Sequence, residues 1–234
     1  MWYNIVMKNS LLWDIYAKLY DTLNLLEPYQ KLHQEVLQSL ELKGGERILD
    51  AGCGTGNFEK LLQNKGLNNV KVEALDFSQA MLKRAKRKNG NHSFNFQHFD
   101  INDRLPFPDN HFDRVVSVNA VYALKEPFST LQEFYRVLRP GGKILITNPK
   151  YCAKILPIFF EHAKKAKMSE ILFMLPSLTL IGIFNLFIKL RGAKNVYNFF
   201  DQQELWDILQ GTGYLGISIN LVYANQTLLA VGKK

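Results

Sequence analysis

Cysteine is nearly absent from this chain. Its 234 residues include two, Cys53 and Cys152. Two isolated thiols, with no CxxC pair and no Cys/His cluster, argue against structural zinc and point to a reducing, cytoplasmic setting. Acidic residues are short as well: 21 Asp and Glu against 29 Lys and Arg leave a net charge of +8. Such a surplus attracts nucleic acid, anionic lipid or an acidic ligand. Its densest run (Lys83, Arg84, Lys86, Arg87, Lys88) has no aromatics interleaved, so it reads as a solvated helix face, and a nucleic-acid partner is not expected. Repeats and low-complexity tracts are missing, and 47% hydrophobic residues exclude disorder. The N-terminus has no small-residue cleavage site and carries Asp14 where a leader would be apolar. The membrane candidate is residues 171–188, eighteen residues without a charge, broken by Pro176, Ser177, Thr179, Gly182 and Asn185.

What is present is alternation of strand-like and helix-like segments. Strands are expected at 47–50, 70–75, 94–99, 112–118 and 143–147, with helices between them. Ser78 and Ser129 are expected to cap two of those helices. This pattern predicts an α/β, doubly wound, Rossmann-like sheet with helices on both faces. Runs at 215–223 and 227–232 are joined by three residues, which allows only an antiparallel hairpin. The whole chain is expected to be one domain over 1–234, with an N-terminal helical cover at 1–42 and an apolar helical insertion at 151–200.

The stretch Asp50-Ala51-Gly52-Cys53-Gly54-Thr55-Gly56 follows the first strand and opens a helix. Its glycines permit positive φ and close approach of a ligand to the backbone. The spacing differs from a dinucleotide fingerprint, and Asp50 would repel a pyrophosphate. A ligand bearing a carboxylate and an ammonium suits the pairing of amides with an acid, as the methionine end of S-adenosylmethionine does. Asp76 follows the second strand, twenty residues after Gly56, where a carboxylate can accept both ribose hydroxyls. Asp100 can accept from an adenine amine, and Phe77, Met81 and Ile101 can wall the base.

These segments, with LPFPDNHFDRVVS and EFYRVLRPGGKILI, resemble the class I S-adenosylmethionine-dependent methyltransferases, most closely the branch with the ubiquinone and menaquinone C-methyltransferases. The resemblance covers residues 14–150 and the closing hairpin. It implies seven strands with an antiparallel last strand, Asp50 near the methionine amine, Asp76 on the ribose, Asp100 and Ile101 beside adenine, and Asn119 facing the methionine portion. Residues 13–24 resemble a helix that covers the cofactor, with Tyr20 as first contact and Tyr16 as second. Asn148-Pro149-Lys150-Tyr151 is not taken as an amino-methyltransferase motif, because it follows the fifth strand and Lys150 replaces a proline.

Methyl transfer from a sulfonium is an in-line displacement that needs alignment and exclusion of water. No metal constellation is visible. Candidate acceptor-side residues are Tyr122 and His162; His33, His92, His98 and His111 read as surface or strand-edge. The insertion is apolar and flanked by Lys164, Lys165, Lys167, Lys189, Arg191 and Lys194. A spanning helix would put the final hairpin across the bilayer from its sheet, so a lid over a small hydrophobic acceptor is expected, with Phe184 and Phe187 serving it. Shallow membrane contact and homodimer packing are the other uses open to that surface. Methylation of RNA or protein, and a regulator that binds S-adenosylmethionine without turnover, are the alternative functions.

Overall fold

Seven strands make one sheet in the computed structural model, which describes residues 17, 20–67, 69–90, 94–150, 154–190 and 197–234. They are β1 (Arg47–Ala51), β2 (Lys71–Asp76), β3 (Phe94–His98), β4 (Phe112–Val118), β5 (Leu138–Pro149), β6 (Leu215–Val222) and β7 (Thr227–Lys233), in the order β3-β2-β1-β4-β5-β7-β6. Pairings among β1 to β5 are parallel, while β7 runs against both of its neighbours. The short turn forces β6 and β7 to be antiparallel. Tyr223, Ala224 and Asn225 all take the left-handed conformation, with φ of 52°, 53° and 60°.

The parallel strands are apolar on both sides because both faces are covered. Adjacent residues alternate between two cores: Ile48, Val116, Leu145 and Leu229 point to one, and Leu49, Val115, Ile144 and Leu228 to the other. Helices α1 (Glu27–Leu40), α2 (Asn57–Asn64) and α3 (Gln79–Asn89) cover the first, through side chains such as Leu32, Val36, Leu62 and Leu82. Helices α5 (Ile155–Ala163) and α6 (Met168–Leu190) join the same face through Ile158, Met174, Leu178 and Ile181. Helices α4 (Pro127–Val137) and α7 (Gln202–Thr212) cover the second core with Leu131, Phe134, Leu205 and Leu209. Each fully buried aliphatic side chain contributes about 1.5–3 kcal/mol, so the inserted helices are anchored by packing.

Two boundaries differ from the sequence expectation. Helix α4 starts at Pro127 with Glu126 at its cap, so Ser129 lies inside the first turn; the fixed φ of proline suits that first helical position. Strand β5 starts at Leu138, which pairs with Phe112 before the register shifts and Lys143 pairs with Arg114. The Pro140-Gly141-Gly142 excursion therefore sits within the strand. Ser78 does cap α3, its hydroxyl accepting the Met81 N–H at 3.3 Å. Among the described residues, no helix is long and apolar enough to cross a membrane.

The order of strands reverses between β1 and β4. At such a point the loops leaving the two carboxyl ends diverge to opposite faces and leave a crevice. The glycine-rich turn and Asn119 both lie there.

Candidate active site

The turn after β1 is stitched to the end of β2. The Gly52 and Cys53 amides both donate to the Leu75 carbonyl, at 2.8 and 2.9 Å. Its three glycines then do different things. A Cβ on Gly52 would lie 2.4 Å from that of Ala120, where the β1 and β4 loops touch. One on Gly56 would lie 2.4 Å from Asn89 Nδ2 and 3.0 Å from Ala85 Cβ, so that glycine lets α3 close on the turn. At Gly54 the nearest atom is 3.9 Å away and belongs to the ring of Tyr20. Gly54 is the least crowded of the three, and Tyr20 roofs it.

Asp76 is buried and braced. Its Oδ2 accepts the Gly54 N–H at 2.9 Å and its Oδ1 accepts the Ser78 N–H at 2.8 Å. Burial pushes its carboxyl up to about 6, while those two amides pull the other way. Asp50, at the end of β1, is 2% exposed and its Oδ1 has no hydrogen-bond partner. Beside it stands Glu59, fully buried in the first turn of α2, whose carboxyl faces that of Asp50 within hydrogen-bonding reach and takes no bond from any other side chain. Burial and the adjacent carboxyl raise Asp50 well above the usual carboxylate range, and burial raises Glu59 to about 7.

Above the turn, Tyr29 Oη donates to Tyr20 Oη at 2.9 Å, and Tyr29 packs edge-on against Tyr223. Asp21, next to Tyr20, clasps the turn from outside. It accepts from Thr55 Oγ1 at 2.7 Å, from Lys88 Nζ at 2.5 Å and from Arg84 Nη1 at 3.3 Å. Lys88 also bonds Thr55 and Asn57. Burial works against the Asp21 charge, but the Lys88 and Thr55 hydrogen bonds outweigh it and hold the carboxyl below its ordinary value.

At the end of β4, Asn119 adopts φ 51°. Its N–H donates to Thr147 Oγ1 at 2.9 Å, and that hydroxyl donates back to Asn119 Oδ1 at 2.9 Å. Tyr122 follows, stacked on Phe199 with centroids 5.7 Å apart and tilted against Tyr197 at 5.5 Å. Its phenol is pushed up by burial, which removes it as a base near neutral pH. Asn148 is fully buried, with Nδ2 donating to the Asn198 carbonyl at 3.1 Å and Oδ1 unpartnered.

A family model described as a methyltransferase domain matches residues 49–146. A demethylmenaquinone methyltransferase of Staphylococcus saprophyticus is 33% identical over 165 residues, covering 63% of this chain and 70% of that protein. The Staphylococcus carnosus protein of the same name is 29% identical over 92% of this chain and 88% of its own length. The crystal structure of a SAM-dependent methyltransferase from Aquifex aeolicus shares the fold, with a TM-score of 0.61 at 21% identity over 94% of this chain and 97% of that one. The chain belongs to the class I S-adenosylmethionine-dependent methyltransferases, in the quinone methyltransferase branch. Its cofactor is S-adenosylmethionine.

The methyltransferase fold gathers most of the residues singled out in the sequence. Gly52, Gly54, Gly56, Asp50, Asp76 and Tyr20 converge on the turn. Phe77, Met81 and Ile101 lie beyond β2 and β3, the last two buried, and exposed Asp100 accepts from the Asn102 amide and side chain. His162 behaves otherwise than expected. Its Nδ1 accepts the Glu27 N–H at 3.2 Å, capping α1, whose cap residue Leu26 offers no side-chain bond. The neutral ring then carries its proton on Nε2 and has no lone pair free to act as a base. His33 is buried, against the surface reading, because it lies on the inner face of α1 beside Tyr29. Tyr16 and His92, and the side chains of Phe184 and Phe187, lie outside the described residues.

Three contributors went unread in the sequence: Glu59, Asp21 and Lys88. A glutamate in a helix and a lysine in a basic run both read as solvated. The available signal for Glu59 was its place beside Phe58 and three before Leu62, on the inner face of α2.

Proposed function

We propose that this chain methylates a small hydrophobic acceptor of the quinone type, held between the end of β4 and the helices α5 and α6. Bound S-adenosylmethionine supplies a methyl group on a sulfonium, whose positive charge makes it a good leaving group. The Gly52, Cys53, Gly54 and Gly56 amides are all spent within the protein, so the turn would lie against the methionine portion without those donors, with Asp50 at the amine, Asp76 at the ribose hydroxyls, and Asp100, Ile101, Phe77 and Met81 at the adenine. The Asp50 oxygen, which has no cationic or amide donor, suits the amine of that ligand. Tyr20 would shield the site from water, and Asn119, pinned by Thr147, would face the methionine portion.

The observation that carries the acceptor class is the wall beyond Asn119. Tyr122, Tyr197 and Phe199 form an aromatic cluster there, a surface for a flat ring. The two phenols are raised by burial, Tyr197 to about 12, and His162 has no free lone pair. The residues on this side therefore suit an acceptor that brings its own nucleophilic electron pair, such as an ionised hydroquinone. Incubation with methyl-labelled S-adenosylmethionine and separate pools of quinols, lipid extract, RNA and protein tests this. Label in a quinol or lipid product supports it; label confined to RNA or protein overturns it.

Helix α6 extends the reading to the lid. Met174, Leu178 and Ile181 face the core, whereas Met168, Leu172, Leu180 and Ile183 on the other side are 69%, 61%, 50% and 58% exposed. Exposed Lys164 and Lys167 immediately precede this helix in the chain. It fits shallow contact with an anionic membrane surface, where a lipophilic quinol partitions. Co-sedimentation with anionic vesicles, lost on Leu172→Ser with Ile183→Ser while S-adenosylhomocysteine still binds, is the expected result. A stable dimer without vesicle binding overturns it.

A further inference from the structure

The carboxyl pair behind the turn is unexplained by the fold. Asp50 Oδ1 and both oxygens of Glu59 receive no hydrogen bond from any other side chain, both residues are buried, and the two carboxyls can bond only through a proton held between them. A buried carboxylate without donors is costly, and two side by side cannot both ionise cheaply. The groups facing the pair are Asp76 from β2, the Cys53 thiol from the turn and Lys88 from α3. None of them donates a hydrogen bond to the three bare oxygens. Lys88 is already held by Asp21, Thr55 and Asn57. The first turn of α2, where Glu59 sits, favours a single negative charge.

We propose that Glu59 and Asp50 share one proton in the free protein and exchange it for the ammonium group of S-adenosylmethionine. The inference rests on the reading that the amino-acid end of the cofactor lies beside Asp50. Charge balances. The free pair holds one proton and one negative charge; the occupied pair holds two carboxylates against one ammonium, and the displaced proton passes to the buffer. Glu59 is thus a binding residue for the cation and a positioning residue for Asp50. Burial, which raises both carboxyls, keeps the shared proton in place at neutral pH.

Calorimetry in buffers of different ionisation heat counts released protons directly. Two ligands separate the pair from Asp76: S-adenosylhomocysteine has the amino-acid end, and methylthioadenosine has the ribose and base without it. At pH 6.5, S-adenosylhomocysteine should release close to one proton more than methylthioadenosine. Its affinity relative to methylthioadenosine should rise with pH between 6 and 7.5, by at most about tenfold per unit. Glu59→Gln should abolish the excess proton and the pH dependence while leaving methylthioadenosine binding unchanged. Equal proton release by the two ligands, or an excess that persists in Glu59→Gln, overturns the proposal. If neither nucleoside binds, the cofactor reading itself fails. Should the glutamine variant not fold, the wild-type comparison of the two ligands decides alone.

Discussion

Replacing Asp76 by alanine tests the ribose assignment and its electrostatics together. Asp76 holds the turn through the Gly54 and Ser78 amides, and each of its oxygens keeps a lone pair for a ligand. Hydrogen bonds to a charged acceptor are worth about 1.5–3 kcal/mol each, and water replaces part of that in the alanine variant. A net loss of about 1–3 kcal/mol follows, roughly 5- to 150-fold in Kd. The pH dependence adds a second check. Burial raises the folded carboxyl from its ordinary value to about 6. The folded, ligand-free protein therefore binds more protons than the unfolded chain between about pH 4 and 6. The contribution of Asp76 to stability is greatest below that window and falls as pH rises through it, by about 3 kcal/mol at 1.36 kcal/mol per unit, and the difference between wild type and Asp76→Ala isolates it from the carboxyls that titrate the other way. A ligand that needs the charged form behaves oppositely, so methylthioadenosine affinity should fall below pH 6. Thermal unfolding and calorimetry across pH 4–8 measure both trends. Unchanged S-adenosylhomocysteine affinity in Asp76→Ala, or a wild-type affinity for methylthioadenosine that is flat below pH 6, would refute the reasoning.

Other substitutions probe the frame around the site. Gly52→Ala sets a Cβ 2.4 Å from that of Ala120 at φ 86°. Left-handed strain and overpacking should together cost about 2–5 kcal/mol, seen as a drop in Tm of at least about 4 °C. Lys88→Met removes the cation that joins Asp21, Thr55 and Asn57. It should weaken S-adenosylhomocysteine binding several-fold, about 1 kcal/mol, and leave that binding less sensitive to salt than in the wild type. His162→Ala uncaps α1 and should cost about 1 kcal/mol of stability in thermal unfolding. Methyl transfer should fall less than about tenfold, whereas loss of a general base would cost at least about a hundredfold.

Much of the fold was legible in the sequence because its causes are local. Strand and helix periodicities, the glycine turn after RILD, and a three-residue connection that cannot make a parallel pair give seven strands with one of the last two reversed; which one is reversed follows from the pairing of β7 with β5. Asp50 and Asp76 were readable for the same reason, since the end of a strand in a βαβ unit has one place to be. What the tertiary structure alone decided are the contacts between distant segments. Gly52 and Gly56 are required by Ala120 and by Ala85 and Asn89, which no local pattern reveals. His162 became a helix cap because α5 packs on α1, 135 residues away in sequence. Asp21 and Lys88, 67 residues apart, became partners because the 3-10 helix Asp21–Leu25 lies against α3. Glu59 was buried against Asp50 because α2 turns that side toward the sheet. Spacing along a chain specifies which element forms, and only packing between elements sets which polar atoms lose their water and which groups remain to replace it.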